Sequence, residues 1–163
     1  MAVSLVYDTR ELKRLSRRLR DIAERTGDLR PLMEEIGAAM VSSTVQRFED
    51  GRGPDGKAWP KSLRARLEGG KTLVDKAHLR DSITYDAGAD SVEIGTNLVY
   101  AGTHQTGAEI RAKVADYLSF RVGGRWARKK KVTIPARPYL GISAADEDEI
   151  EAIAGDYLAE PLQ

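Results

Sequence analysis

The side chains that invite a search for chemistry are the two histidines, His78 and His104. His104 lies in T-H-Q-T-G, Thr103 to Gly107, beside a glycine free to take a positive φ. An imidazole there can act as a general base, but such catalysis needs a proton donor within hydrogen-bond reach, and spacing pairs no hydroxyl nucleophile with it. His78 is flanked by charge and reads as a surface residue. There is no cysteine, which excludes disulfides, thiolate metal sites and cysteine nucleophiles. Two histidines with no shared ligand spacing do not make a structural zinc site. G-x-S-x-G, Walker-type and dinucleotide-binding glycine patterns are all missing, and Gly51, Gly53 and Gly56 lead into no helix with a phosphate-binding Lys-Ser/Thr. The chain therefore reads as a binding or structural protein, not an enzyme, with no cofactor or metal, and His104 as a structural histidine beside a turn.

The element that positions His104 is the stretch V-E-I-G-T-N-L-V-Y-A-G-T-H-Q-T-G, Val92 to Gly107. Val92 and Ile94 alternate with Glu93, which predicts a strand with one buried face. Gly95 ends it, Thr96-Asn97 offers an N-cap, and Leu98 to Ala101 supplies a helical turn. Ser82–Ala87 and Ser91–Gly95 read as an antiparallel hairpin turned by Gly88-Ala89-Asp90. A short helix within Lys71–Ile83 leads into it, with Leu79 and Ile83 pointing inward.

Two helices are predicted before that. Val3–Tyr7 reads as an edge strand, and Asp8 with Glu11 forms a capping-box-like start. Leu12, Leu15, Leu19 and Ile22 make an apolar stripe. Arg10, Lys13, Arg14, Arg17, Arg18 and Arg20 cover the rest, as a solvated basic face or one that meets DNA or an acidic partner. Asp28 caps the second helix, with Pro31 in its first turn and Leu29, Met33, Ile36, Met40 and Phe48 along its inner side. Its small residues, Gly37 to Ala39 and Ser42-Ser43, leave room for another helix. Glu49–Gly70 is punctuated by glycine and proline and reads as a long exposed loop. Trp59 within it either folds back onto the domain or anchors a partner.

Downstream, Ala108–Ala115 is polar and reads as loop. Tyr117–Val122 and Arg125–Ile134 flank Gly123-Gly124, a two-residue turn signal, and predict a second hairpin. Arg121, Arg125, Arg128, Lys129, Lys130 and Lys131 make it basic, and it carries Trp126. Lysines on a strand guard an edge against aggregation. The functional reading is contact with a phosphate backbone or an acidic partner. Pro135–Gly141 is a proline-braced extended segment. Ser143 or Asp146 caps a last helix running to about Leu158, with Ile150, Ile153 and either Tyr157 or Leu158 inside. From Ser143 onward every formal charge is negative, so identical subunits could meet head to tail, acidic end to basic surface.

The totals set the frame. At 163 residues the chain suits one domain, spanning 1–163, with a real core. Lys+Arg (26) nearly equals Asp+Glu (25), so the net charge of +1 gives no global case for nucleic acid or membrane binding. The N-terminus lacks the pattern of a signal peptide, and no apolar run approaches the roughly 20 residues of a membrane helix. A soluble protein made in the cytoplasm is expected.

The order of short motifs resembles a known family. P-D-G-K-A-W-P-K-S-L (Pro54 to Leu63), K-T-L-V-D (Lys71 to Asp75) and L-R-D-S-I (Leu79 to Ile83) precede the Val92–Gly107 stretch. I-P-A-R-P-Y-L-G-I-S (Ile134 to Ser143) and an acidic helix close the chain. This resembles the phage virion morphogenesis family, the tail-completion or neck proteins of Mu-like and related tailed phages, over roughly Met33 to Leu158. The resemblance implies a non-enzymatic virion component: a small α+β subunit of a homo-oligomeric ring, expected to be a hexamer, at the head–tail junction. Neck, tail-tube or connector proteins would be its partners, with DNA possible in the channel and no membrane. It also implies that Tyr100, His104, Gln105 and Gly107, and Pro135, Arg137, Pro138 and Gly141, hold the fold or an interface.

The expected fold is thus α+β: a small antiparallel sheet against N-terminal helices and a C-terminal helix, with loop 49–70 and hairpin 117–134 projecting. The expected interface residues are Trp59, Tyr100, His104, Gln105, Arg137 and Tyr139. DNA or an acidic partner would meet the basic hairpin. The competing expectation is a DNA-binding accessory protein using basic segments 10–20 and 121–131.

Overall fold

A computed structural model describes residues 28–113 and 115–159. The edge strand at Val3–Tyr7 and the basic helix from Asp8 lie outside the described residues, as does the side chain of Leu158.

The chain is organised on helix α1, Arg30–Asp50. Asp28 helps start it, its carboxylate accepting from the Arg30 N–H at 2.8 Å, and Pro31 sits in the first turn where its missing donor does no harm. Gly51, at φ 66°, ends it in the left-handed conformation glycine tolerates. The expected inner stripe is buried: Leu29, Met33, Ile36, Met40 and Phe48, joined by Leu32. Gly37 is approached not by a helix but by the Tyr85 ring, which an added Cβ would meet at 2.5 Å. Ser43, by contrast, does face the last helix, donating to Asp146.

Short elements follow. Helix α2 (Leu63–Leu67) is capped by the Ser62 hydroxyl, which accepts from Ala65 N at 3.1 Å. Helix α3, His78–Asp81, is the short helix expected within Lys71–Ile83, and it buries Leu79. Strands β1 (Thr84–Ala87) and β2 (Val92–Gly95) form the anticipated antiparallel hairpin, Thr84 opposite Gly95. Helix α4 then occupies Ala101–Thr106. It starts later than the sequence implied, because Thr96 caps a turn through the Leu98 N–H instead of a helix. His104 and Gln105 therefore lie on α4, and Gly107 closes it at φ 76°.

The second half corrects two expectations. Ala108–Arg111 is a strand, β3, not loop. The long basic arm is two strands, β5 (Arg125–Lys129) and β6 (Lys131–Ile134). β5 pairs with β4 (Leu118–Val122) across Gly123-Gly124, whose φ values of 58° and 73° suit a tight hairpin turn. β6 leaves that partner and pairs with β3, Ile134 opposite Ala108. Helix α5, Ala144–Ala159, closes the described chain.

The protein is α+β, with three two-stranded antiparallel sheets among the described residues. Two apolar clusters share α1. One joins Leu29, Leu32, Met33, Ile36 and Met40 to Ile150, Ile153 and Ala154 of α5. The other joins Phe48 to Trp59, Leu79, Ile83, Ala101, Tyr139 and Leu140. Ile94 packs against both. Each fully buried large apolar side chain contributes roughly 1.5–3 kcal/mol.

Candidate functional site

The residues singled out in the sequence converge on the segment Pro135–Gly141. Gln105, buried on α4, reaches it with all of its amide: Nε2 donates to Leu140 O at 2.9 Å, and Oε1 accepts from Tyr139 N at 3.0 Å and Leu140 N at 3.1 Å. The backbone continues this clamp, Arg137 N donating to His104 O at 2.8 Å. From the other side Trp59 Nε1 donates to Pro138 O at 2.9 Å. The indole packs edge-on against Phe48 with ring centroids 5.6 Å apart. Trp59 is 7% exposed, so it folds back. Its loop is tied to the Pro135–Gly141 segment by the indole bond to Pro138 O and by Arg137 Nε donating to Pro60 O, and is folded on itself through Trp59 N to Gly51 O and Gly53 N to Lys57 O.

Tyr139 is fully buried against Phe48 and donates its hydroxyl to Ala101 O at 3.2 Å. Burial pushes its phenol up to about 12, with a smaller contribution from Tyr100. Arg137 is 5% exposed, its Nε donating to Pro60 O at 2.8 Å. Burial lowers its guanidinium pKa.

His104 is half-buried, edge-on to the Tyr100 ring at 6.1 Å. Burial, and then the Arg137 charge, lowers its pKa, which keeps the imidazole neutral near pH 7. Its Nδ1 is buried without a hydrogen-bond partner among the described residues. Among those residues no three His, Asp or Glu side chains gather as metal ligands would. What this arrangement does is lock α4, loop 49–70 and Pro135–Gly141 into one corner. Trp59, Gln105, Arg137 and Tyr139 lie inside it, and Tyr100, 41% exposed, stands at its surface.

Sequence reasoning missed the buried pair Arg47–Asp146, 99 positions apart. Arg47 sits in the inner stripe of α1, donating to Tyr139 O at 3.0 Å and Gly141 O at 2.8 Å. Asp146 accepts from Ser143 N and Oγ, each at 2.6 Å, while Ser143 Oγ accepts from Asp146 N at 3.3 Å, a reciprocal cap on α5. Burial alone would raise the Asp146 carboxyl. Hydrogen bonds from Ser143 and Ser43, with the Arg47 charge, outweigh it and hold the carboxyl below its usual range. Burial lowers the Arg47 pKa, and Asp146 offsets part of that. The available signal was a cation interrupting an apolar stripe.

The basic hairpin residues separate. Residues opposite each other share a sheet face, so Arg121 and Trp126, a facing pair, lie with Ser119 and Arg128 on one face. Arg125 and Lys129 lie on the other, opposite Val122 and Leu118. Lys130 falls between strands. Lys131 belongs to β6 and pairs with Glu109 at 3.1 Å, as Arg111 does at 2.6 Å. Trp126 is 76% exposed.

Residues 10–159 match the phage virion morphogenesis family. The chain belongs to that family. Over 139 residues it is 34% identical to the Mu-like prophage FluMu G protein 2 of Haemophilus influenzae, covering 85% of each chain. Over 149 residues it is 32% identical to the putative capsid assembly protein G of Escherichia phage Mu, covering 86% of this chain and 85% of that one. No solved structure matches. A structural part in making the virion, as membership of this family implies, suits a corner built from interlocked hydrogen bonds.

Proposed function

We propose that this protein completes the tail or joins it to the capsid at the head–tail junction, as a homo-oligomeric ring, a hexamer, around the DNA path. It would assemble in the host cytoplasm and then remain in the virion. The β4–β5 tip carries the reading: Arg121, Trp126 and Arg128 share one exposed face, which suits a phosphate backbone or an acidic partner surface. That the phage Mu relative is a putative capsid assembly protein supports a component that meets the capsid. Neck, tail-tube or connector proteins would be its other neighbours. Among the described residues no helix is long and apolar enough to cross a membrane.

Sedimentation and negative-stain imaging of the purified full chain should show a ring; a monomer at all concentrations would refute the proposal. R121E/R128E should keep the ring but weaken DNA retention in particles. Loss of the ring instead would move the face to a protein interface. The exposed basic tip also favours a second reading, a DNA-binding accessory protein using segments 10–20 and 121–131. That reading requires duplex binding by the isolated subunit that falls steeply with salt. A neck subunit need show none.

A further inference from the structure

Beside the corner is a cleft of about 330 Å³ whose lining includes Arg64, Lys76, His78, Tyr100, His104 and Arg137. Its charge is mostly positive. Asp75, the carboxylate in the wall, is engaged with Arg64 at 3.8 Å. Arg64 also spends its hydrogens on carbonyls, Lys71 O at 2.6 Å among them. Lys76 has no ion pair among the described residues, and neither does Arg137.

Arg137 is the decisive group. It is 95% buried by its 5% exposure, its Nε is used by Pro60 O, and Nη1 and Nη2 have no acceptor among the described residues. A guanidinium in the wall of a cleft with no anion beside it is an available donor for one. His104 Nδ1, buried and unpartnered, lines the same cleft. An unpartnered imidazole nitrogen and a guanidinium with no ion pair among the described residues, from different elements, thus belong to the lining of one basic recess. The backbone at its rim is held in the left-handed region at two non-glycine residues, Leu73 (φ 65°) and Ala77 (φ 59°).

The subunit carries a complementary surface. Helix α5 exposes Asp148, Glu149, Glu151 and Asp156, none with an ion pair among the described residues. The helix starts against Ser43 and Arg47 and runs back along α1, its Ile150 and Ile153 packing on Leu29 to Met40. The cleft lies by the Phe48 end of α1, where Leu73 and Leu79 of its lining pack with Phe48, and no α5 carboxylate is part of that lining.

We propose that the cleft is a carboxylate-binding pocket that receives an acidic side chain of α5 from a second copy of this chain. The contact is head to tail, the kind that propagates around a ring. It rests on the oligomeric reading above. The Arg137 guanidinium and Lys76 ammonium hold the carboxylate oxygens, and Tyr100 lies at the rim.

The test is a double-mutant cycle on the full chain, read as the assembly constant by sedimentation, with circular-dichroism melting to confirm folding. K76Q, at an exposed rim residue, and K76Q/R137Q form the pocket arm. D148N/E149Q/E151Q/D156N, close in shape and uncharged, forms the helix arm. Each arm should weaken assembly at least ~10-fold, as loss of a charge-assisted bond does. Combined, they should cost little more than one alone. Independent, multiplying losses would overturn the pairing, as would a folded K76Q that assembles like the wild type. Loss of duplex binding with assembly unchanged would also overturn it, making the occupant a phosphate. A monomeric wild type would sink the oligomeric reading and the pocket together, whereas an oligomeric wild type indifferent to both arms would sink the pocket alone.

Discussion

Gln105 shows how much one side chain can fix. Its amide satisfies two buried N–H groups and one carbonyl of the Tyr139–Leu140 backbone. A leucine of similar size leaves all three without partners, and each orphan costs about 1–3 kcal/mol. Gln105→Leu should therefore lower stability by about 3 kcal/mol or more in denaturant unfolding. Asp146 makes a second case. D146N keeps the shape but strands the Arg47 charge, at roughly 3–5 kcal/mol. Because its folded-state pKa lies below that of the unfolded chain, near 3.9, its contribution is complete above about pH 5 and drains away as pH falls through the folded value. D146N should flatten that acid limb of the stability profile. Tyr139 acts at the other extreme. Unfolded tyrosine ionises near pH 10 and the folded group at about 12, so stability should fall between those values as pH rises. Tyr139→Phe should remove that alkaline limb at a cost of about 1 kcal/mol for the lost bond to Ala101.

At the scale of elements, the junction of α4 and β3 is the tightest point. Gly107 has φ 76°, and an added Cβ would stand 2.8 Å from Ala136 N and 2.9 Å from Ile134 O, both backbone atoms that cannot step aside. Gly107→Ala should cost well over the ~1 kcal/mol of a left-handed alanine alone. It should show as a lower melting temperature together with loss of assembly. The glycine was legible in the sequence, as were the α1 stripe, the β1–β2 hairpin and the Gly123-Gly124 turn, because each is written in neighbouring residues. β3 was not: Ala-Glu-Ile-Arg carries too short an alternation, and its pairing is supplied by Lys131–Ile134, which closes around the inserted hairpin. For the same reason the change of partner at Lys130 left no local mark. The convergence of Trp59, Gln105 and Arg137 was visible only as motif order, since their contacts bridge 34 to 79 positions. Asp146 was legible only as a cap candidate for the last helix, and its pairing with Arg47, 99 positions away, is not written in neighbouring residues.

At the scale of the molecule, α1 and Ile94 tie the two apolar clusters together, while the β4–β5 tip stands apart from both. Its own ladder holds it, and its connections back include Gly123 N donating to Glu68 Oε1 at 2.7 Å, with Leu67 beside that glycine. Below it the β3–β6 ladder reaches from Ala108–Ile134 to Arg111–Lys131, and Ala112 N still donates to Lys130 O. Those ends are already in hairpin register, so residues 113–129 can be replaced by Asn-Gly, a dipeptide that closes such a turn. Excision should change stability by no more than about 1 kcal/mol, the value of an exposed hydrogen bond, because neither cluster loses a member. If the tip exists to meet DNA or another virion protein, the excised protein should melt like the parent and oligomerise like it. It should nevertheless fail to yield infectious particles when it replaces the parent during phage growth. Normal particle yield from the excised chain would remove the tip from the function altogether. Loss of oligomerisation would place it between subunits.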